Sequence, residues 1–205
     1  MKLSILVLTH KRPEMFEQCL NSILRMKFNF DFEILVNNDS RDIIPITDSR
    51  IKYSNVFSND ISDLYKHLYD KAQGEYIYFL EDDDFLLPGF QNYVNKNINN
   101  SDLHLGLFNS NLEEIRVKNL QSFLDWRRGE YRTDHFQLSQ MLFKKTELKW
   151  PKGNRISNDE SLLKEVLKVH KPALTTEMFF FKRVHGKNMS NEYFEGFNDY
   201  DRIAV

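Results

Sequence analysis

The chain has 205 residues and a mass of 24.6 kDa, the size of one ordinary domain, since domains mostly run ~100–200 residues. Apolar residues make up 41% and aromatics 14%, enough material for a sizeable core. The 28 basic and 30 acidic residues leave a net charge of −2, which argues against affinity through a basic surface gripping nucleic acid or anionic lipid.

The single cysteine, Cys19, excludes an internal disulfide framework and a multi-cysteine metal site. No apolar run approaches the ~18 residues of a membrane-spanning helix. Leu3–Thr9 is a nearly continuous apolar run, the pattern of a strand buried on both faces. His10-Lys11-Arg12 follows it where a signal peptide would have small residues, so the run reads as a core strand. The expected location is therefore cytoplasmic. Pro13 suits the first turn of a helix, and Phe16, Leu20, Ile23 and Leu24 continue at helical spacing to Met26.

A second short strand is predicted over 32–36, running into Asn37-Asn38-Asp39-Ser40, and a third over 51–54. Ile61, Leu64, Tyr65, Leu68, Tyr69 and Ala72 mark an amphipathic helix, with Gly74 placed as its C-cap. Residues 76–80 form the next buried strand, and Pro88 opens a helix carrying Phe90, Tyr93, Val94 and Ile98. Strands are predicted over 103–108, 140–143 and 175–184, the last including the core run Phe179-Phe180-Phe181. A helix is predicted over 156–169, with Ser157 and Glu160 as a capping box. This alternation predicts an α/β fold, a mostly parallel sheet with helices on both faces. No linker divides it, so residues 1–205 read as one domain.

The strongest local signal is Glu81-Asp82-Asp83-Asp84, directly after a buried strand. Four adjacent acids repel one another and resist desolvation, so they need a solvated edge or a cation. Open α/β sheets place their ligands at the carboxyl ends of strands. A hard divalent cation, completed by phosphates and water, suits such a cluster.

Three blocks carry a resemblance to a known family. The run from Leu3 to Pro13 resembles the opening strand of inverting family-two glycosyltransferases of the GT-A fold, and residues 32–40 resemble their second strand and nucleoside-binding turn. Gly74 to Phe90 is similar to the family's segment with the DxD-type metal motif. Asn158-Asp159-Glu160-Ser161-Leu162-Leu163 is similar to the helix start that presents its catalytic carboxylate, and residues 181–190 to a late segment whose histidine approaches the diphosphate.

The resemblance implies metal-dependent, inverting transfer of a sugar from a nucleotide-diphosphate sugar to an acceptor hydroxyl. Residues 1–100 would be the nucleotide-binding half and 101–205 the acceptor side. Thr9, His10, Arg12, Asn38 and Asp39 would line the donor site. Asp83 and His185 would hold Mn²⁺ or Mg²⁺ against the phosphates, with Glu81 or Asp82 on the ribose or a water of the cation. Asp159 would accept the acceptor's proton. Glu160 ranks second, because the capping box gives it a structural task. Trp126-Arg127-Arg128 and Asp134-His135 fall on the acceptor side, the arginines reading as a solvated charged turn. The acceptor would be a glycan or another hydroxyl compound; the charge balance does not favour nucleic acid.

Asn37-Asn38 stand where the family commonly has paired aspartates, and Glu81 replaces its usual first aspartate. The first departure keeps open an inactive nucleotide-sugar-binding relative. A phospho-receiver domain is a further alternative, but leaves the second-half motifs unexplained. Nucleotidyltransferases, P-loop enzymes and dehydrogenases need glycine-rich loops that Thr9-His10-Lys11-Arg12-Pro13 does not supply.

Overall fold

The fold is described from a computed structural model covering residues 1–41, 46–130, 136–150 and 158–185. Strands β1 (Leu3–Thr9), β2 (Phe32–Asn38), β3 (Ile51–Ser54) and β4 (Tyr76–Glu81) alternate with helices α1 (Pro13–Leu24) and α2 (Ile61–Lys71). A two-residue strand β5 (Phe85–Leu86), helix α3 (Pro88–Asn97), strand β6 (Leu103–Ser110) and helix α4 (Glu113–Arg127) follow. The chain then makes a 3₁₀ turn (Leu138–Gln140), β7 (Met141–Lys144), α5 (Asn158–Leu167) and β8 (Pro172–Lys182).

The strands form one eight-stranded sheet in the order β3-β2-β1-β4-β7-β6-β8-β5. The first four run parallel; β7 is antiparallel to β4 and β6, and β5 antiparallel to β8. The expected α/β class, a mostly parallel sheet covered by helices, is the observed one. Both faces are buried because successive strand side chains point to opposite sides. In β1, Leu3, Ile5 and Val7 join Phe16, Ile23, Phe90 and Val94 of α1 and α3 in one layer. Leu6 joins Tyr65 and Leu68 of α2 and Leu162 and Leu163 of α5 in the other.

Several local expectations are corrected. Gly74 is not a C-cap: α2 ends at Lys71 with the extended Ala72 as its C-cap, and the Gly74 N–H donates to Ser4 Oγ at 2.8 Å. The glycine is needed for close approach, since a Cβ there would lie 2.4 Å from the Ser4 backbone nitrogen. Helix α4 was not expected. Its outer face carries exposed Val117, Leu120 and Leu124 opposite buried Phe123 and Trp126, so no single apolar stripe announces it, and Leu112 at its N-cap makes no side-chain cap. Trp126 is core, while Arg127 and Arg128 close the helix in solvent as a charged turn should. Strand β8 starts three residues earlier than predicted and buries Phe179 and Phe180 as expected. Ser157, Asp134, His135 and the segment beyond His185 lie outside the described residues. Among the described residues, no helix is long and apolar enough to cross a membrane.

Candidate active site

Strand register assembles the site. Thr9 pairs with Asn38 across β1 and β2, and Leu8 with Glu81 across β1 and β4. Three strand ends and their loops therefore meet at the carboxyl edge, where open α/β sheets bind their ligands.

The acidic run folds into a tight turn closed by the Asp84 N–H on Glu81 O, 3.1 Å. It is largely buried: Asp82, Asp83 and Asp84 are 3%, 6% and 0% exposed. Each carboxylate has its own satisfaction. Asp82 Oδ2 accepts from Thr9 Oγ1 at 2.9 Å and from the His10 N–H at 3.3 Å. Asp83 Oδ2 takes a charge-assisted bond from Arg12 Nη1 and lies 3.3 Å from His185 Nε2. Asp84 Oδ1 accepts from the Arg183 N–H at 2.9 Å, but its buried Oδ2 has no hydrogen-bond partner among the described residues. Such an atom is costly unless a ligand meets it.

Burial raises Asp82 to about 6; Arg12 opposes the rise, Asp83 adds to it, and the Thr9 and His10 bonds oppose it. Asp84 is raised well above the carboxylate range by burial, against the pull of Lys182. Burial would lower Arg12, but Asp82, Asp83 and Glu81 outweigh it and hold the guanidinium charged.

The second turn is held from within. The Asp39 N–H donates to Thr9 O at 3.0 Å, and Asp39 Oδ1 pairs with His10 Nδ1. Asn38 is fully buried; its amide nitrogen donates to Tyr53 Oη at 3.0 Å, and its oxygen accepts from Ser40 N and Oγ at 3.0 and 2.9 Å. Asn37 braces the loop after β3, donating to Val56 O at 2.9 Å and accepting from the Val56 N–H at 3.0 Å. The two asparagines thus shape the turn from inside, and Asp39 with His10 forms its outer lip.

From the other half, α5 brings Asp159 to the same mouth. Its Oδ2 accepts from the Leu138 N–H at 3.3 Å. Burial and then the charge of Glu81 push it up to about 7, against the Leu138 bond and Lys182. Glu160 pairs along the helix with Lys164 at 3.7 Å. The sequence-predicted residues Thr9, His10, Arg12, Asp39, Glu81, Asp82, Asp83, Asp159 and His185 thus converge on one edge.

Asp84 belongs to the acidic run that the sequence singles out, without a role of its own there; three neighbours of the cluster were missed, Gln137, Lys182 and Arg183. Arg183 clamps the acidic turn through Asp83 O, Gln18 Oε1 (2.5 Å) and Met15 O (3.1 Å). Lys182 Nζ lies 3.5 Å from Glu81 Oε2 and donates to Gln137 Oε1 at 2.5 Å. The available signal was the lysine ending an otherwise aromatic strand, Phe179-Phe180-Phe181-Lys182: a charge there must meet an opposite one.

Glu81, Asp83 and Asp84 offer oxygens all within 4.8 Å of one another. An all-oxygen set with a buried orphan atom fits a hard divalent cation such as Mg²⁺ or Mn²⁺.

The sequence profile described as Glycosyl transferase family 2 matches residues 4–146. No curated protein matches. The fold is similar to that of S. aureus TarS 1–349 in complex with UDP, with a TM-score of 0.64 and 17% identity over 91% of this chain and 61% of that one. The same TarS fragment in complex with UDP-GlcNAc gives a TM-score of 0.63 and 16% identity over 92% and 60%. The chain spans about 60% of the length of these fragments, and 37% of the longer TarS structure.

Proposed function

The chain belongs to glycosyl transferase family 2, and from that premise we propose that it transfers a sugar from a nucleotide-diphosphate sugar to an acceptor hydroxyl, with inversion and with the help of a divalent cation. Family membership sets aside the phospho-receiver alternative. The observation that carries the proposal is the cluster Glu81, Asp83 and Asp84 at the end of a parallel strand, with Asp84 Oδ2 buried and without a partner among the described residues.

Glu81, Asp83 and Asp84 would hold Mn²⁺ or Mg²⁺, with His185 beside Asp83. When bound, the cation supplies charge to offset that growing on the departing diphosphate. Thr9 and the His10–Asp39 lip would receive the nucleoside, while buried Asn38 keeps the turn's shape. TarS structures hold UDP and UDP-GlcNAc, which makes a uridine diphosphate sugar the first donor to test. Arg12, released from Asp83 by an arriving anion, would contact the phosphates.

Asp159 is the proposed base. A folded value near 7 lets it take a proton from the acceptor hydroxyl at neutral pH. Attack from the face opposite the diphosphate inverts the anomeric carbon. Glu160 is turned along α5 toward Lys164 and ranks behind it. Glycans are the proposed acceptor class.

The test is turnover of UDP-sugars with Mn²⁺, followed by release of UDP. Release that depends on an added hydroxyl acceptor supports transfer. Donor binding without turnover under any acceptor would identify the inactive relative instead.

A further inference from the structure

Lys182 is an enclosed cation of the site and has no part in the chemistry above. Its side chain is only 14% exposed. Burial alone would lower its pKa; the charges of Glu81, Asp84, Asp83 and Asp159 outweigh that and raise it. Two contacts fix the ammonium: Glu81 Oε2 at 3.5 Å and Gln137 Oε1 at 2.5 Å. Gln137 leads directly into Leu138, whose N–H donates to Asp159 Oδ2. A continuous path therefore runs from Glu81 through Lys182 and Gln137 to the peptide that holds Asp159.

Gln137 is itself immobilised. Its N–H donates to Gln140 Oε1 at 2.9 Å, and Gln140 Nε2 is tied to Asn119 Oδ1 (2.9 Å) and Gly106 O (3.2 Å) inside the core. The ammonium is therefore presented to the acidic turn by a rigid support. Lys182 also closes β8 at the register position of Ser110 on β6, which leaves it little freedom to withdraw.

We propose that Lys182 is a positioning residue that acts as the resident counter-ion of Glu81 and thereby sets how strongly the Glu81, Asp83 and Asp84 cluster binds a divalent cation. This rests on the reading of that cluster as the cation site. Like charges a few ångströms apart repel strongly in a water-poor site, so the ammonium opposes an unaccompanied dication. A diphosphate arriving with the cation brings the negative charge that removes the opposition. The consequence is weak binding of the bare metal and tight binding of metal with nucleotide.

The experiment is calorimetric titration of Mn²⁺ into the full chain, alone and with UDP, for wild type, Lys182→Met, Lys182→Gln and Lys182→Arg. Lys182→Met keeps length and removes charge; Lys182→Gln keeps a donor for Gln137 and covers the case in which methionine does not fold. With either neutral variant, affinity for Mn²⁺ alone rises on the order of tenfold or more, and the gain from adding UDP shrinks. Lys182→Arg keeps the wild-type pattern. If wild type takes Mn²⁺ with UDP but the neutral variants bind bare Mn²⁺ no more tightly than wild type, the counter-ion role is overturned and the cation site stands. If no protein takes Mn²⁺ with or without UDP, the cation site itself is overturned, and this role with it.

Discussion

Thr9 and Asp82 stand 73 positions apart in sequence, yet the Thr9 hydroxyl donates to Asp82 Oδ2 at 2.9 Å. Adjacent parallel strands bring them together: β1 ends at Thr9 and β4 at Glu81, so a hydroxyl from one loop satisfies a carboxylate in the other. Asp82, at 3% exposed, is thereby tied into the floor of the mouth. Thr9→Val keeps the β-branched shape suited to the strand and deletes this donor. It should lower stability by about 1–3 kcal/mol at neutral pH, read as a fall of a few degrees in Tm. An unchanged Tm would show the bond to be dispensable.

Gly74 tests the same β1–β4 seam from its other end. A Cβ there would meet Ser4 N at 2.4 Å and Leu3 C at 2.7 Å, both backbone atoms of a central strand that cannot move aside cheaply. Gly74→Ala should destabilise by at least ~2 kcal/mol, the upper part of the range for overpacked interiors. Urea unfolding measures it; a loss below half of that would mean that β1 yields more easily than its central place suggests.

Asp159 makes a signed prediction about pH and stability. Its folded value near 7 is above the ordinary 3.8, so between about pH 4 and 7 the folded chain holds a proton that the unfolded chain has released. Stability must then rise as pH falls through that window and level off below it. Asp82, raised to about 6, acts in the same direction. Thermal unfolding without metal should show Tm climbing by a few degrees from pH 8 to pH 5.5. Asp159→Asn should keep only part of that climb; an identical climb would refute the raised value.

The same residue makes a kinetic prediction. Asp159→Asn should cut transfer by ~10²–10⁴-fold, the loss expected when a general base is removed, with donor binding intact. The wild-type kcat/KM should fall with acidification through about pH 7, as the carboxylate takes up its proton. Full activity in the variant would move the role to Glu160.

Much of this was legible in the sequence because of how its strands are buried. Leu3–Thr9 and 76–80 sit under helices on both sides, so both read as unbroken apolar runs, and the acids after Leu80 had to lie at an edge. Asp159 was reached by its resemblance to a helix start, and α5 begins at Asn158. What escaped was two-sided or non-local. Helix α4 hid because Val117, Leu120 and Leu124 are apolar on its solvent side. The roles of Lys182 and Gln137 depend on a contact across 45 positions that no local pattern carries. The contacts of Asn38 are likewise partly non-local: its oxygen accepts from Ser40 within the turn, while its amide nitrogen donates to Tyr53 Oη on β3.

In the proposed reaction the carboxylates after β4 hold a cation that carries the donor's diphosphate. The most direct measurement is calorimetric titration of UDP into wild type and Asp83→Asn, each with Mn²⁺ and again with EDTA. Binding by wild type should require Mn²⁺ and weaken ~100-fold or more in the variant, the scale of one lost charged contact at 1.4 kcal/mol per factor of ten. Equal affinity for UDP in all four titrations would contradict it.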